Sequence, residues 1–392
     1  MYVSHIALDD FRSYRHAVVE LGPGATVLLG PNGQGKTNLV EAIGYLSTFS
    51  SHRVSADTAL VRAPLNAQET PPGGAVIRVR LVSGDGRESV IELEIVRGKA
   101  NRARVNRTQM SPRDILGMVR SVVFAPEDLS LVRGDPSIRR TFMDELATQM
   151  RPTYSRLRAD FEKVARQRAA LMKQAQSAFR RGRSPDLSTL SVWDDTFARL
   201  SAQVSAQRAQ VIHALTDPSR RAHSAIAPQG RDLDMVFDPS VGKTLGEGDT
   251  TDLTDVDLQC QRILQAFAQV HEREIERGVN LVGAHRDDLM LTLGHLPVKG
   301  YASHGESWSV ALALRLGAFE VLGSDGDQPI LILDDVFAEL DSARRQGLAQ
   351  MVAGADQVLV TAAVADDVPE LLGAQVIPVR WDAEEGTVVG NE

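Results

Sequence analysis

The sequence predicts an α/β protein in which a head of mixed sheets and helices is interrupted by an inserted, all-helical arm domain. Short strand-like runs, separated by Gly- and Pro-rich turns, fill the first 125 residues. From residue 151 the apolar side chains follow helical spacing, and strand-like runs return from residue 289. We therefore expect residues 1–150 and 279–392 to form one discontinuous head around an arm at residues 151–278.

The first strands are predicted from runs rich in β-branched and other apolar residues. They cover residues 3–8, 18–21, 26–29, 76–82, 90–96 and 122–124. In the arm, apolar residues at helical spacing predict helices over 153–180, 193–215 and 258–276. Residues 181–186 predict a helix–helix connection, and residues 246–257 a loose acidic loop. Strands are predicted again at residues 289–293, 330–333, 357–360 and 375–379.

The composition is that of an ordinary globular protein. The chain has 392 residues, of which 43% are hydrophobic and 24% charged, and this length suits two domains. Its single cysteine, Cys260, excludes an intramolecular disulfide framework, fits a reducing compartment and is interpreted as a core residue. No apolar run reaches the ~18 residues of a membrane span, and the strand-like start indicates no signal peptide. We expect a cytoplasmic protein with no membrane partner.

A glycine-rich loop between a predicted strand and a predicted helix is the most specific local motif. It reads Gly30-Pro31-Asn32-Gly33-Gln34-Gly35-Lys36-Thr37. In such a P-loop the backbone N–H groups surround phosphate oxygens, and the following helix start favours negative charge. We expect the whole loop to bind a nucleotide, with Lys36 acting at the β- and γ-phosphates and the Thr37 hydroxyl binding Mg²⁺. The motif predicts a site for ATP or GTP.

The second half of the predicted site is a buried strand that ends in two carboxylates. Residues 329–333 are apolar, and Asp334 and Asp335 follow them directly. In P-loop proteins such a strand places its Asp beside Mg²⁺, directly or through water, so Asp334 is the second predicted metal ligand. Asp335 is predicted to act catalytically by orienting the attacking water.

Charge is distributed unevenly along the chain. The net charge of −8 argues, by itself, against a nucleic-acid partner. Residues 151–183, however, contain ten Lys and Arg but only two acidic residues, a local charge of about +8. A polyanion responds to the field within a Debye length of ~8–10 Å, so this segment is a candidate DNA surface. The candidate contacts are Arg156, Lys163, Arg166 and Arg180, with Arg104 from a basic hairpin.

Several of these charged residues also have a structural interpretation. For Arg166 and Arg168, a solvated helix face and a DNA contact are equally good interpretations. For the basic hairpin, a solvated edge is slightly favoured over a DNA contact. Surface ion pairs, rather than phosphate contacts, are expected for Arg139 and Arg140 with Asp144 and Glu145. Residues 285–288 are interpreted either as lining the site or as an ion-paired turn. We favour a structural supporting role near the nucleotide.

Further features make the chain resemble the ATP-binding-cassette ATPases. The acidic strand is followed by Glu339-Leu340-Asp341, and Ser303-His304-Gly305-Glu306 opens a predicted helix at 308–319 in the position of the cassette signature. The resemblance implies that Ser303 and Gly305 of one head contact the γ-phosphate of ATP bound to another head. It therefore implies an ATP-dependent homodimer, and a helix start is physically suited to such an anion.

Within that superfamily the chain resembles the RecF family over nearly its whole length. The resemblance is carried by residues 8–14 (LDDFRSY), 30–37, 124–129 (FAPEDL), 134–136 (GDP), 139–144 (RRTFMD), 283–289 (GAHRDDL) and 332–341. The chain departs from the family at Glu306, where Gln is common, and at Ala284, where Pro is usual. Cassette transporters carry Glu at the position of Asp335 and His at that of Thr361, which bears on the hydrolysis rate more than on nucleotide binding.

The RecF resemblance implies that the protein dimerises with ATP and binds duplex DNA at single-strand/double-strand junctions or gaps. With RecO and RecR it then promotes RecA loading and SOS induction, and its ATPase activity is weak and DNA-stimulated. Asp128, or less favourably Glu127, takes the role of the cassette Gln loop or caps a turn. A chromosome-maintenance-like ATPase fits less well because the arm covers only about 130 residues. A transporter ATPase subunit would lack the basic arm, and a small-molecule kinase would not need Ser303.

Overall fold

The computed structural model describes residues 1–54, 56–65, 68–182, 189–246, 252–324 and 326–390. Most of the predicted connection at 181–186 and part of the predicted loop at 246–257 lie outside the described residues. The chain divides into two compact units. Unit 1 comprises Met1–Leu129, Asp217–Asp232 and Ala302–Glu392, and unit 2 comprises Ser130–Thr216 and Leu233–Tyr301.

These units have different bounds from the predicted head and arm. Residues 130–150 and 279–301, which were expected in the head, belong to unit 2, and residues 217–232, expected in the arm, belong to unit 1. The helix over Pro136–Met150 packs against its neighbours in unit 2, which explains where the first of these segments belongs. The division into functional domains at residues 150 and 278 stays a prediction.

Strands and helices are numbered in chain order. The strands are β1 (Tyr2–Phe11), β2 (Tyr14–Glu20), β3 (Gly24–Leu29), β4 (Gly74–Val82), β5 (Glu88–Val96), β6 (Arg102–Val105), β7 (Thr108–Met110), β8 (Ser121–Phe124), β9 (Leu233–Asp238), β10 (Asp288–Leu293), β11 (Leu296–Pro297), β12 (Ile330–Asp334), β13 (Gln357–Ala362), β14 (Gln375–Asp382) and β15 (Gly386–Val389). The α-helices are α1 (Lys36–Thr48), α2 (Leu129–Arg133), α3 (Pro136–Met150), α4 (Tyr154–Arg180), α5 (Leu190–Ile226), α6 (Ser240–Leu245), α7 (Val256–Arg277), the kinked α8 (Val298–Tyr301), α9 (His304–Gly323) and α10 (Ser342–Val352).

Unit 1 contains a 12-stranded sheet in the order β7-β6-β5-β4-β1-β2-β15-β14-β3-β13-β12-β8. The pairings among β14, β3, β13, β12 and β8 are parallel, and the others are antiparallel. The register pairs Asp334 with Thr361 and Ala362 with Leu29. Because the carboxyl ends of parallel strands meet at one edge, the loop after β3 and the acids at the end of β12 lie together.

The parallel strands are almost continuously apolar because both of their faces are covered. Every residue of β12 and β13 is buried. Helix α1 adds Leu39, Val40 and Ile43, each 0% exposed, to the core of unit 1. The helix begins at Lys36, within the predicted P-loop, so the end of the loop is held in place by this packed core.

Unit 2 is mainly helical and also contains a small sheet in the order β11-β10-β9. Helices α4 and α7 pack together. The rings of Phe161 and Phe267 flank that of Phe197, with centroids 5.3 and 5.7 Å away. The range 151–278, which was predicted to be all-helical, contains the strand β9, along which buried and more exposed side chains alternate. The predicted strand at 289–293 is β10, and it pairs with β9 in unit 2 rather than with the large sheet.

Candidate nucleotide-binding site

The P-loop follows β3 and packs against the hairpin of β14 and β15. Gly33 and Gly35 have φ values of +84° and +98°, a region that favours glycine. A Cβ on Gly30 would lie 2.1 Å from the carbonyl oxygen of Val379, and one on Gly35 would lie 2.3 Å from Thr387 Oγ1. Glycine is thus required at these positions by backbone conformation or by close approach of the hairpin.

Lys36 is folded into the centre of the loop. Its ammonium group donates to the carbonyl oxygens of Gly30 at 2.6 Å and Pro31 at 3.1 Å, and to Asn32 Oδ1 at 3.5 Å. Lys36 is 3% exposed, and burial lowers its pKa although two nearby carboxylates act to raise it. The hydrogen bonds described for this desolvated cation go to neutral oxygens, and an anionic ligand would form stronger ones.

Thr37 and Asp334 meet beside the P-loop although they are 297 residues apart in the chain. The hydroxyl of Thr37 donates to Asp334 Oδ1 at 2.9 Å, and that of Thr361 donates to the same oxygen at 2.6 Å. Burial raises the pKa of Asp334, whereas the two hydroxyl donors lower it. A hydroxyl and a carboxylate are oxygen ligands of the kind that Mg²⁺ prefers, so these residues fit the predicted metal ion.

Asp335 has a left-handed backbone conformation, with φ of +52°. Its backbone N–H donates to Thr361 Oγ1 at 2.9 Å, so the hydroxyl that holds Asp334 also holds the next residue. Such a conformation is unfavourable for a residue other than glycine and persists only where its surroundings enforce it. The two acids predicted from the sequence are therefore fixed as a pair by Thr361.

The segment after α1 contributes a residue that the sequence analysis missed. His52 Nε2 lies 3.9 Å from Asp334 Oδ2. The segment is anchored by Glu41, which is 1% exposed and accepts from the Ser51 hydroxyl at 2.5 Å and from Arg12 Nε at 2.7 Å. No recognised motif marks His52 in the sequence, so its place at the site emerges only from the fold.

Ser303 and Gly305, the predicted signature residues, lie at the start of α9. Ser303 Oγ accepts from the Glu306 N–H at 3.3 Å, and Glu306 Oε2 accepts from the Ser303 N–H at 2.9 Å, which forms a capping box. Hydrogen bonds from Ser303 and Arg231 lower the pKa of Glu306 to about 2. Ser303 is exposed, and a Cβ on Gly305 would lie 3.0 Å from the Arg344 guanidinium. The start of α9 is therefore accessible, and its contact with a second copy stays a prediction.

Asp128 caps a turn. Its Oδ2 accepts from the Ala125 N–H at 3.0 Å, and its Oδ1 accepts from Arg315 Nη2 at 2.6 Å. Asp128 is buried, whereas Glu127 is exposed. Of the two roles that the sequence leaves open for this segment, the structure shows the capping of the 3₁₀ turn at Pro126–Asp128.

The candidate DNA contacts on α4 are exposed. The side chains of Arg156 and Arg166 are 82% and 73% exposed, and each approaches an acid one turn away, at 4.0 and 3.9 Å. Lys163 and Arg180 are exposed as well. In unit 1, Arg104 is paired with a glutamate of β5 at 2.7 Å, and its side chain is 54% exposed. Exposed ion pairs of this kind are weak, so these cations stay accessible to a polyanion.

Arg168 differs from both interpretations that the sequence allowed for it. It is 0% exposed, and its guanidinium donates to Asp194 and Glu274 at 2.7 Å and to Asn280 at 2.8 Å. The same group lies over the ring of Phe267, 4.1 Å from the centroid. The expectation of a solvated face or a DNA contact was wrong for Arg168, because unit 2 supplies two carboxylates that neutralise it internally.

Arg139 and Arg140 also form internal contacts in unit 2. Arg139 pairs with Asp288 at 2.7 Å, and Arg140 donates to the carbonyl oxygen of Asp287 at 2.8 Å. The predicted surface pairing with Asp144 is wrong because Asp144 is itself buried, at 3% exposure. Burial raises the pKa of Asp287, and a nearby arginine opposes that shift. Of the two interpretations of residues 285–288, the structure shows the ion-paired turn.

The fold and site place the chain in a known class of P-loop nucleotide-binding heads. Residues 2–376 match the model of the family described as RecF/RecN/SMC N terminal domain. Two relatives named DNA replication and repair protein RecF narrow the class. The one from Streptomyces avermitilis is 51% identical over 390 residues and 99% of both chains, and the one from Beutenbergia cavernae is 50% identical over 97% of this chain and 100% of its own. The chain belongs to the RecF family.

Solved structures agree with this assignment. A structure described as the recombination mediator protein RecF-ATP in the RecFOR pathway has a TM-score of 0.82 at 25% identity, and the match covers 94% of this chain and 93% of that one. An Smc head bound to the C-winged helix domain of ScpA has a TM-score of 0.55 at 15% identity, over 99% and 97% of the two chains. The second likeness shows the fold alone.

These comparisons confirm the predicted family, the predicted cassette-type head and the predicted role in DNA replication and repair. The chromosome-maintenance alternative is set aside because RecF relatives about half identical to this chain span nearly all of it. Across the part of the chain that the structure describes, no helix has the length and apolar character needed to cross a bilayer.

Proposed function

We propose that this chain is an ATP- and Mg²⁺-dependent DNA-binding protein of recombinational repair, active as an ATP-bound homodimer. The observation that carries the proposal is the hydrogen bond from Thr37 to Asp334, which joins the P-loop to the acidic strand. The structural relative described as RecF-ATP supports ATP as the nucleotide. Lys36 and the loop N–H groups would hold the phosphates, and Thr37 and Asp334 would hold the metal ion.

Hydrolysis to ADP and phosphate is proposed to be weak and stimulated by DNA. Bound Mg²⁺ supplies positive charge to the phosphate oxygens. Lys36 is already desolvated, so it can bind a phosphate without a further large loss of hydration. Asp335, held through Thr361, would orient the attacking water. An Asp is shorter than a Glu, and Thr361 replaces the cassette His, which is why we expect slow turnover.

A second copy is proposed to complete the site. Ser303 and Gly305 lie at the exposed start of a 20-residue helix, where backbone N–H groups carry partial positive charge. They would cap the γ-phosphate of ATP held by the other copy, so that the nucleotide joins the two. Loss of the γ-phosphate would then remove the bridge and release the dimer.

DNA is proposed as the polyanion that the exposed cations bind. Arg156, Lys163, Arg166 and Arg180 lie on α4 of unit 2, and Arg104 lies on β6 of unit 1. The proposed substrate is duplex DNA at a single-strand/double-strand junction or gap. The RecFOR pathway named for the solved relatives supports RecO and RecR as partners, with RecA loading and SOS induction as the outcome in the cytoplasm.

The Lys36→Ala variant tests the nucleotide bridge. We expect the unsubstituted protein to dimerise when ATP is added, as measured by analytical ultracentrifugation, and K36A to stay monomeric because it lacks the central phosphate-binding cation. Binding to gapped, duplex and single-stranded DNA is measured on the same samples with and without ATP. Dimerisation of K36A at the same ATP concentration contradicts the bridge.

The salt dependence of DNA binding tests the surface on α4. Replacing Arg156, Lys163, Arg166 and Arg180 by Ala should reduce the slope of log K against log salt by roughly 3–4, at about 0.9 per phosphate contact. A control with the same loss of charge replaces four exposed arginines elsewhere, namely Arg87, Arg113, Arg221 and Arg277. If both variants change the slope equally, α4 is not the DNA surface.

A further inference from the structure

His52 has a feature that the proposed site does not use. Its Nε2 is buried and, among the described residues, has no hydrogen-bond partner. The carboxylate oxygen Asp334 Oδ2 lies 3.9 Å away, which is too far for a direct hydrogen bond. Buried polar atoms are nearly always paired, so an unpaired one at a ligand site indicates a partner that arrives with the ligand.

The two oxygens of Asp334 have different surroundings. Oδ1 accepts the hydroxyls of Thr37 and Thr361, at 2.9 and 2.6 Å. Oδ2 is the oxygen that lies near His52. Two atoms that each accept a hydrogen bond from one water molecule lie about 4 to 4.5 Å apart. The observed spacing of 3.9 Å is close to this value, so a single water can be shared by the imidazole and the carboxylate.

The segment that carries His52 is fixed independently of any ligand. The Ser51 hydroxyl donates to Glu41 at 2.5 Å, and Arg53 Nη1 donates to Asn38 Oδ1 at 2.7 Å. Both acceptors belong to α1, the helix that begins at the P-loop. Residues 49–54 also line an open groove of about 430 Å³, which gives water access to the segment. The residues on both sides of His52 are therefore tied to the helix that carries Thr37.

We propose that His52 positions the metal ion, with Nε2 accepting a hydrogen bond from a water ligand of Mg²⁺ that Asp334 Oδ2 also holds. His52 acts through this water and does not touch the metal, so it is a positioning residue. The inference rests on the Mg²⁺ site of the proposed function, and it predicts that His52 sets the Mg²⁺ requirement of nucleotide binding.

Three variants test this role. His52→Leu replaces the imidazole with an apolar side chain of comparable size and so removes the hydrogen-bond acceptor. His52→Gln keeps an acceptor, its amide oxygen. His16→Leu makes the same change at a histidine of β2 whose side chain is 67% exposed. ATP binding is measured by calorimetry over a range of Mg²⁺ concentrations, with EDTA giving the metal-free value, and thermal melting checks that each variant folds.

Loss of a hydrogen-bond partner of a metal ligand typically weakens metal binding 10- to 100-fold. We therefore expect the half-saturating Mg²⁺ concentration to rise at least about tenfold in H52L and to stay near the unsubstituted value in H52Q and H16L. Metal-free ATP affinity should not change in H52L, because Lys36 and the P-loop are intact.

An unchanged Mg²⁺ requirement in H52L overturns the inference and leaves the proposed function standing. An equal loss of ATP affinity with and without Mg²⁺ also overturns it, because that pattern indicates a displaced segment. If the unsubstituted protein binds ATP without any effect of Mg²⁺, the metal site of the proposed function fails as well.

Discussion

Thr361→Val should loosen both acids of the nucleotide site, because a single hydroxyl connects them. Thr361 is 1% exposed, donates to Asp334 Oδ1 at 2.6 Å and accepts from the Asp335 N–H at 2.9 Å. Valine has the same shape and makes neither hydrogen bond. A hydrogen bond to a charged group contributes about 1.5–3 kcal/mol, and a buried N–H left unpaired costs about 1–3 kcal/mol. We therefore expect the free energy of unfolding to fall by about 3–5 kcal/mol.

Urea unfolding followed by circular dichroism measures this loss, and Thr361→Ser is the matched variant because it keeps the hydroxyl. T361S should lie within about 1 kcal/mol of the unsubstituted protein, since it loses only a methyl group. In T361V the pKa of Asp334 should rise further, because one of the donors that lower it is gone. On acidification, Mg²⁺-dependent ATP binding should then be lost at a higher pH in T361V than in the unsubstituted protein. Equal stability of T361V and T361S would refute the reasoning.

Four further substitutions probe the fold around the site and in unit 2. Gly30→Ala should destabilise by about 3 kcal/mol or more because its Cβ would lie 2.1 Å from the backbone oxygen of Val379, whereas Gly33→Ala meets nothing within 4 Å and costs about 1–2 kcal/mol for its left-handed φ. Thermal melting should rank them in that order. Arg168→Met should cost about 3–5 kcal/mol in urea unfolding, since it leaves a buried carboxylate without its cation; near-normal stability would contradict this. Burial lowers the pKa of His285 to about 4. Between its unfolded pKa near 6.5 and this value only the unfolded chain gains the proton, so stability falls with falling pH, by up to about 1.4 kcal/mol per unit. In His285→Gln that contribution should be absent when unfolding at pH 7 and pH 4.5 is compared.

Local patterns predicted the parts of this protein whose chemistry or periodicity is contained within a few residues. The glycines and Lys36 of the P-loop, and the acids that follow a wholly apolar strand, indicate their positions in any fold of this class. The long amphipathic helix was expected at 153–180 and is observed at Tyr154–Arg180, because its apolar face is visible in the sequence. The meeting of Thr37 and Asp334 was expected because both were predicted to bind one Mg²⁺, as the P-loop and the acidic strand do in P-loop proteins.

What the sequence left open depends on partners that are distant in the chain. Arg168 is identical in type to its exposed neighbour Arg166, but Asp194 and Glu274, 26 and 106 residues away in the chain, pair with Arg168 inside unit 2. Strand β9 is six residues long and its alternation is brief, so pairing with β10 decides its conformation. His52 belongs to no motif, and its role is indicated by the distance of 3.9 Å between its Nε2 and Asp334 Oδ2. Each case is decided by tertiary contact rather than by local propensity.

Several features of the nucleotide site cost free energy in the protein without ligand. Burial lowers the pKa of Lys36 and raises that of Asp334, Asp335 has a left-handed backbone, and Nε2 of His52 is unpaired among the described residues. The packed parallel strands on which the site lies hold these groups in place. A triphosphate with its cation would relieve three of them, by neutralising the lysine and the carboxylate and by giving the imidazole nitrogen a hydrogen-bond partner in metal-bound water. Since such a ligand binds only the folded chain, ATP with Mg²⁺ should raise the stability of unit 1, and part of the binding energy would come from the relief of these costs.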